Sequence, residues 1–348
     1  MLKKNIYYFL TILATTFFLY SCSEDTDIPD VSDINIKLNI NRFEKDLFAL
    51  DTTQIESSLT NLKNKYPAFA DLYFKRIVQL DLPIKESPFP ENISGFLHFP
   101  NVRTLYDTTM LVFPDLDAVS KDLTEAFQFH NYYFPERDTP DIFTFISEYT
   151  YQTFIFDNQG KDAIGVGLDM FLGENYPYRR YVPDNPSFSA YLTRAFNQQH
   201  LTKKVMETVV DDIVGLPAGS KLLDEMVNNG KKMYILDLLL PTTPDTIKWE
   251  YTPAQLDWCR QNELQLWTYI IDEELLYSGN SKKFRKLIAP SPSGPSNIPS
   301  QAPGRTGNWL GYKIIKNYMV RQPNTTLHEL IAQKDAQLIL DKSRYRPR

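Results

Sequence analysis

Residues 162–215 constrain the fold most, because a strand pattern is followed, after an aromatic loop, by a helix pattern. In the strand part, apolar residues alternate with small or polar ones: Ile164, Val166, Leu168 and Met170. In the helix part, apolar residues recur at helical spacing: Val205, Met206, Val209, Val210, Ile213 and Val214. Many hydrolases keep their chemistry where a buried strand leads into such a helix, so this stretch is the first candidate site.

The N-terminal segment has the parts of a bacterial lipoprotein signal. Two lysines are followed by an apolar run over residues 6–20, and then by Leu-Tyr-Ser-Cys, which is similar to a lipobox. The run is shorter than the roughly 20 residues that cross a membrane. We therefore predict a signal peptide over residues 1–21 and lipidation of Cys22. An ordinary secretory signal or an N-terminal anchor helix is the alternative.

The residues after the signal and the overall charge limit the partners and the location. Residues 22–32 are acidic and rich in turn formers, which predicts a flexible tether. Ser23 resembles a sorting signal for the outer membrane, so we expect a periplasm-facing lipoprotein there. The net charge is −6 and no basic stripe is present, which argues against a nucleic-acid partner. With Cys22 lipidated, Cys259 has no disulfide partner and is predicted to be buried.

Periodicity predicts one α+β domain over residues 33–348, mostly helical with a small antiparallel or mixed sheet. Strands are predicted at residues 34–40, 141–148, 152–157 and 163–170. We expect the last three strands to form an antiparallel meander. Helices are predicted at residues 43–50, 53–65, 69–80, 115–129, 203–214, 221–229, 253–277 and 309–319, and Gly230 is expected to end one of them. Residues 83–113 receive no assignment.

The sequence argues against a catalytic zinc site. The usual helical zinc motif is H-E-x-x-H, because two imidazoles one turn apart face the same ion and the glutamate activates its water. The four histidines stand apart in the sequence. In the helix predicted at residues 203–214, Glu207 matches the glutamate of the motif, but Met206 and Val210 occupy the ligand positions. We predict no metal and no cofactor other than the covalent lipid at Cys22.

Two other kinds of site stay open. Acidic pairs at residues 211–212, 224–225 and 272–274 can serve as acid–base groups in glycosidases, although such acids are usually solvated on helix surfaces. The turn at residues 303–308 precedes a helix, and an anion can bind at a helix N-terminus. Its simpler role is to cap that helix, with Asn308 as the predicted cap.

An aromatic and basic loop follows the central strand. Its residues are typical either of core packing or of a protein interaction surface: Tyr176, Tyr178, Arg179, Arg180 and Tyr181. A pocket for a small molecule beside this loop is a third interpretation.

Several stretches together resemble the GldB family of gliding-motility lipoproteins of Bacteroidetes. Besides the lipobox, they are IGVGLDMFLGENYPYRRYVP, LLDEMVNNGKKMYILDLLLP, YTPAQLDWCRQNELQLWTYIIDEELLYS, PGRTGNWLGYKIIKNYM and LILDKSRYRP. The resemblance spans essentially the whole mature chain. It implies a cell-envelope lipoprotein required for gliding, which works with other proteins of the motility and type IX secretion machinery.

The family is also distantly similar to zincin-type peptidases. That comparison implies that the helix at residues 203–214 stands in the place of the metal helix, and that Glu225 lies near a third-ligand position. The chain departs from the peptidase pattern at Met206 and Val210, so the resemblance implies a degenerate zincin-like fold without its catalyst. We predict a non-enzymatic component of the gliding machinery. The alternative is an envelope hydrolase, with unusual metal ligands or with catalytic carboxylates.

Overall fold

The computed structural model describes residues 28–80 and 89–347. The predicted signal peptide, Cys22 and most of the predicted tether lie outside the described residues. The chain divides into two compact units, residues 1–33 and residues 34–348. In the described part of the first unit, the Ser32 amide donates a hydrogen bond to the Asp30 carboxylate at 3.0 Å.

The second unit is an α+β fold dominated by helices, as predicted. Its first half carries all four strands that occur in the described residues. The elements are β1 (Ile40–Arg42), α1 (Phe43–Phe48), α2 (Ile55–Lys65), α3 (Pro67–Leu72), α4 (Phe89–His98), α5 (Pro100–Val112), α6 (Asp117–Tyr133), β2 (Asp141–Phe145), β3 (Thr153–Asp157) and β4 (Asp162–Gly167). Two of these helices, α4 and α5, lie in the region that the sequence left unassigned.

The sheet is mixed and has the strand order β1-β2-β4-β3. Strand β2 pairs in parallel with both β1 and β4, and only β3 and β4 are antiparallel. Apolar residues on β2 and β4 are buried because helices cover the sheet. Aromatic rings from α1 and α3 pack on it, with Phe69 stacked on Phe143 at a centroid distance of 5.0 Å.

The predicted antiparallel meander is therefore wrong, because β2 pairs with β4 rather than with β3. The segment that follows β2 does not turn back as a hairpin. Instead, the backbone amides of Ser147 and Tyr149 donate to the buried carboxylate of Asp169, at 2.9 and 2.7 Å. Glu148 and Tyr149 both have positive φ, at 52° and 65°. This turn lets β3 pair with the other edge of β4.

In the second half of the unit, the regular elements of the described residues are all helices. It begins with the short helices α7 (Tyr178–Tyr181) and α8 (Ala190–Thr193). The remaining elements are α9 (Gln198–Val214), α10 (Leu222–Leu239), α11 (Asp245–Trp249), α12 (Pro253–Gln261), α13 (Glu263–Asp272), α14 (Ser281–Ile288), α15 (Thr306–Arg321), α16 (Leu327–Ala332) and α17 (Ala336–Ser343). The apolar faces of α10 to α17 form one core, in which Cys259 is buried as predicted.

Helices α10 and α15 cross at unusually short range through two glycines. A Cβ on Gly311 would lie 1.8 Å from the Met226 carbonyl oxygen, and a Cβ on Gly230 would lie 2.4 Å from the Gly311 backbone. The prediction that Gly230 ends a helix is wrong, because α10 continues to Leu239. Gly230 is required for the close approach of two backbones rather than for a helix end.

Other predicted boundaries are also wrong, for example the strand predicted at residues 163–170, which ends at Gly167. The first strand is confined to Ile40–Arg42, because β1 pairs only with β2 and only over those residues. The long helix predicted over residues 253–277 is interrupted at Asn262, where the side-chain amide donates to the Trp258 carbonyl at 2.7 Å. Helix α15 has Arg305 as its N-cap residue, so Asn308 lies within the first turn and is not the cap.

Candidate functional site

Helix α9 carries Met206 and Val210, which the sequence comparison with the H-E-x-x-H motif set at its two histidine positions. Met206 and Val210 are buried, with 0% and 1% of their surface exposed. The helix contacts α6, α10 and β3. Apolar side chains fill these two positions and pack in the core. Glu207 follows Met206 in the chain and belongs to an ionic cluster.

The ionic cluster, which we name the charged centre, consists of Lys203, Lys204, Glu207, Glu250 and Arg305. The Lys203 ammonium lies 2.8 Å from Glu207 and 2.9 Å from Glu250, and Lys204 lies 3.1 Å and 2.6 Å from the same two carboxylates. The Lys203 side chain is only 1% exposed. Charges this deep require direct partners, since removal from water disfavours an isolated ion by several kcal/mol.

The two carboxylates of the charged centre are held ionised. Burial alone raises the pKa of Glu207, but the Lys203 and Lys204 ammonium groups outweigh burial and lower that pKa to about 2. The same lysines, together with Arg305, outweigh burial at Glu250 and hold its pKa well below the usual value. A general base works best when its pKa lies near the operating pH. A carboxylate with a pKa of about 2 is therefore a weak base at neutral pH.

Two members of the charged centre have a left-handed backbone. Glu250 has φ 53° and Arg305 has φ 62°, a region that costs residues other than glycine about 1 kcal/mol or more. Arg305 is fixed by a hydrogen bond from Nη2 to the Trp249 carbonyl at 2.5 Å, and the same nitrogen lies 3.6 Å from Glu250. Arg194 donates to the Glu250 carbonyl from the other side, also at 2.5 Å. These contacts join Arg305, at the start of α15, to Trp249 and Glu250, at the end of α11.

A cavity of about 220 Å³ lies beside the charged centre, between α9, α10 and the first turn of α15. We name it the α9–α10–α15 cavity. Lys232 on α10 pairs with Asp211 on α9 at 2.9 Å across it. Asn229 on α10 donates to the side-chain oxygen of Asn308 on α15 at 3.0 Å. Its lining residues are Glu207, Val210, Asp211, Asn229, Lys232, Met233, Leu236, Arg305 and Asn308.

The structure brings two of the predicted sites together in this cavity. The helix at residues 203–214 and the turn at residues 303–308 are far apart in the chain, yet Glu207 and Arg305 line the same space. Glu225 is half-buried on α10, where burial raises its pKa, and it is not among the lining residues. Within residues 28–80 and 89–347, no three His, Cys, Asp or Glu side chains are grouped closely enough to hold a metal ion.

The aromatic loop forms a second candidate site on a different part of the surface. Tyr181 is 48% exposed, and its ring is nearly parallel to those of Tyr149 and Tyr176, at centroid distances of 5.7 and 5.8 Å. The hydroxyls of Tyr149 and Tyr176 are 2.6 Å apart. Arg179 and Arg180 are exposed beside these rings.

Tyr178 does not belong to that surface. Its side chain is 1% exposed, and its hydroxyl donates to the Asp169 carbonyl at 3.1 Å while it accepts from the Leu172 amide at 2.9 Å. The prediction that Tyr178 lies on an interaction surface is therefore wrong. Tyr149 takes its place, and sequence reasoning missed it because no pattern indicates a tyrosine with positive φ. We name Tyr149, Tyr176, Arg179, Arg180 and Tyr181 the tyrosine surface.

A larger cavity, of about 510 Å³, lies at the start of β2 and β4 and was not predicted. His130 lines it and is 2% exposed, and burial lowers its pKa to about 4. Arg137 pairs with Asp212 at 3.1 Å on its wall. Charges of both signs surround it, so its lining alone does not select a ligand class.

The fold and these sites define a helix-dominated α+β protein with an ion-paired centre. The chain matches the family described as gliding motility protein GldB over residues 24–347, and it belongs to that family. This confirms the predicted family and makes the chain a gliding-motility-related envelope lipoprotein. Comparisons with curated proteins and with solved structures gave no match. Among the described residues, no helix combines the length and the apolar character that a membrane span requires.

Proposed function

We propose that the protein acts in gliding as a non-enzymatic component, held on the membrane by a lipid at Cys22, and that it works through contacts with other envelope proteins of the motility machinery. The outer membrane, on the periplasmic side, is its proposed location. Support comes from the family and from the state of α9. Met206 and Val210 lie in the core, and Glu207 is bound by two ammonium groups.

The charged centre favours a structural role for α9 over a hydrolytic one. A peptidase glutamate must approach a metal-bound water and accept its proton. Glu207 instead accepts from Lys203 and Lys204, and the Lys203 side chain is buried while that of Glu207 is partly exposed. We propose that these contacts serve to join α9 to Glu250 and to the start of α15.

The tyrosine surface is the proposed contact site for a protein partner. Stacked tyrosines with adjacent arginines match the composition of interface centres, where Tyr and Arg are enriched. Tyr149 and Tyr176 are joined through their hydroxyls, so the surface is ordered before any partner binds. Pre-ordering reduces the entropy that is lost on association.

The central experiment reverses the charge of this surface in living cells. The double variant Arg179→Glu and Arg180→Glu is expected to abolish gliding while protein level and membrane fractionation stay normal. A matched control, Lys282→Glu with Lys283→Glu, reverses two adjacent exposed cations on α14 and should glide. In vivo crosslinking should capture a motility protein with the control and lose it with the Arg179/Arg180 variant. Gliding by the latter would overturn the assignment.

The non-enzymatic part of the proposal has its own test. Full-length protein purified without chelators is expected to contain zinc far below one ion per chain by elemental analysis. One zinc per chain, retained after dialysis, would contradict the proposal and favour an envelope hydrolase with unusual ligands.

A further inference from the structure

Strand β3 is an open edge of the sheet. It pairs with β4 on one side, and no strand of the described residues lies along its other side. Its first four residues are partly exposed, and Asp157 at its end is exposed. Proteins usually protect such an edge with charged residues, a proline or a bulge, because its free main-chain groups can pair with another chain. Within β3 only Asp157 is charged, and the strand contains no proline.

The hydrogen bonds at the two ends of the β3–β4 ladder show which main-chain groups point outward. The Gly167 amide donates to the Gln152 carbonyl at 2.9 Å, and the Asn158 amide donates to the Lys161 carbonyl at 2.7 Å. Bonded positions alternate along an antiparallel pair, so the even-numbered residues of β3 bond to β4 and the odd-numbered ones face away from it. The outward residues are Thr153, Ile155 and Asp157.

The outward main-chain groups have no partner within residues 28–80 and 89–347. No main-chain hydrogen bond joins the N–H or C=O of Thr153, Ile155 or Asp157 to another described residue. Strand β4 holds the opposite edge and α9 packs against β3, so the outer edge keeps its extended shape without help from a second strand. Three evenly spaced donor–acceptor pairs are therefore presented in line, which is the arrangement that an added strand requires.

We propose that β3 pairs with β3 of a second copy of this chain, in antiparallel orientation about a two-fold axis at Ile155. The pairing sets Ile155 opposite Ile155 of the second copy and Thr153 opposite its Asp157. All outward groups of both copies then have partners. Phe154 lies opposite Phe156 of the second copy, and such aromatic cross-strand pairs contribute about 0.2–1 kcal/mol each.

Charge and symmetry favour a second copy in this register. Asp157 faces the uncharged Thr153, and the two Asp157 carboxylates lie about 14 Å apart, beyond the Debye length of about 8 Å. A register centred on Asp157 would set the two carboxylates directly opposite each other, which is destabilising. A register centred on Thr153 would leave the groups of Asp157 unpaired. A second copy has the matching spacing by symmetry, and the contact is isologous, so the assembly closes as a dimer.

The size of the contact indicates a weak dimer in solution. A pair of five-residue strands is about 17 Å long and buries less than the roughly 1,200 Å² of stable interfaces. Two copies held in one membrane by the proposed lipid at Cys22 would meet at a higher effective concentration. The pairing of the strands does not depend on the proposed role in gliding.

Disulfide cross-linking of the full-length protein in isolated cell envelopes tests the register. Under mild oxidation Ile155→Cys is expected to give a linked dimer, because the two Cα atoms would be about 5.5 Å apart. Thr153→Cys and Asp157→Cys, each alone, should give at least about tenfold less dimer, because each cysteine would be about 14 Å from its copy. Expressed together, these two variants should cross-link with each other. The unaltered chain, which retains Cys22 and the buried Cys259, gives the background.

A second set of variants tests the main-chain bonds. In the Ile155→Cys background, Thr153→Pro removes an outward N–H and should reduce the linked dimer at least about tenfold; proline is tolerated at an edge position of this kind. Thr153→Val is the matched control. It also loses the hydroxyl contact with Thr208 at 2.7 Å but keeps the N–H, and it should cross-link normally.

Three outcomes would overturn the proposal. Equal cross-linking of all the single cysteine variants would mean random collision. Equal cross-linking of Thr153→Pro and Thr153→Val would exclude the main-chain bonds. Absence of linked dimer from both Ile155→Cys and the mixed pair would exclude a second copy, as it would if the edge takes a strand of a different protein. If Ile155→Cys does not accumulate, the mixed Thr153→Cys and Asp157→Cys pair decides.

Discussion

The close contact of α10 with α15 predicts that Gly311→Ala lowers stability, although alanine is normally the more favourable residue in a helix. Replacement of Gly311 by alanine would place a Cβ 1.8 Å from the Met226 carbonyl oxygen and 3.2 Å from the Met226 Cα. Ordinary contacts of this kind begin near 3.4 Å. The obstacle is backbone within a helix, so no side-chain rotation relieves it. The two helices must separate by about 1.5 Å at this point.

The expected loss of stability combines two opposing terms. Overpacking of this kind typically costs about 1–3 kcal/mol, and a backbone obstacle puts Gly311→Ala at about 3 kcal/mol. Alanine regains about 1 kcal/mol over glycine in a helix interior, which leaves a net loss of about 2 kcal/mol. Gly95 in α4 is the matched control, because a Cβ there meets nothing within 4 Å. Gly95→Ala should therefore stabilise by about 0.5–1 kcal/mol.

Thermal unfolding followed by circular dichroism measures both variants. The entropy of unfolding is about 2.1 cal/mol/K per residue, so in a unit of roughly 300 residues 1 kcal/mol shifts Tm by about 1.5 °C. Gly311→Ala should lower Tm by about 3 °C, and Gly95→Ala should raise it by about 1 °C. A rise in both variants would refute the close crossing of α10 and α15.

Three other predictions address charge, pH and the anchor. Lys203→Met removes one of two shared ammonium groups from Glu250 and should cost about 3–5 kcal/mol of unfolding free energy in urea; an unchanged midpoint would show that Lys204 alone compensates. Burial holds the pKa of His130 and of His200 at about 4, whereas the ordinary pKa of histidine is 6.5. Between these values the unfolded chain binds more protons than the folded one. The free energy of unfolding therefore falls as the pH drops from 6.5 to 4. In His130→Leu the free energy of unfolding should fall by about 3 kcal/mol less over this pH range. An unaltered pH profile would contradict the buried neutral state of His130. Cys22→Ser should leave the protein soluble or mislocalised, and normal palmitate labelling of this variant would contradict the lipobox.

The segment at residues 162–215 shows what periodicity determines. The alternating residues after Asp162 form β4, and the helical stripe that includes Met206 forms the buried side of α9. The order of apolar and polar residues predicted the buried side of α9 directly. The alternation also located β4, although every residue of β4 after Asp162 is buried. The pairing of strands depends on the turn chemistry between them. The turn at Glu148 and Tyr149 is set by Asp169, about twenty residues later, so no local pattern indicates it.

The α9–α10–α15 cavity was only partly predictable, because its residues come from three helices. The turn at residues 303–308 suggested an anion by its position before a helix, and Glu207 was noticed only through a motif that the chain does not complete. Lys232 and Asn229 carry no signal of their own, since a lysine and an asparagine on a helix are ordinary surface residues.

Gly230 carried a signal that was misread as a helix end, and Gly311 carries the same signal inside the helix predicted at residues 309–319. A glycine inside a helical pattern costs about 1 kcal/mol relative to alanine, so its presence requires either a helix end or a close contact. One close crossing of α10 and α15 explains both glycines. If each glycine ended a helix instead, α10 and α15 would each be divided in two, and neither is. This crossing brings Asn229 against Asn308. The glycines thus place Asn229 and Lys232 of α10 on the same cavity as Arg305.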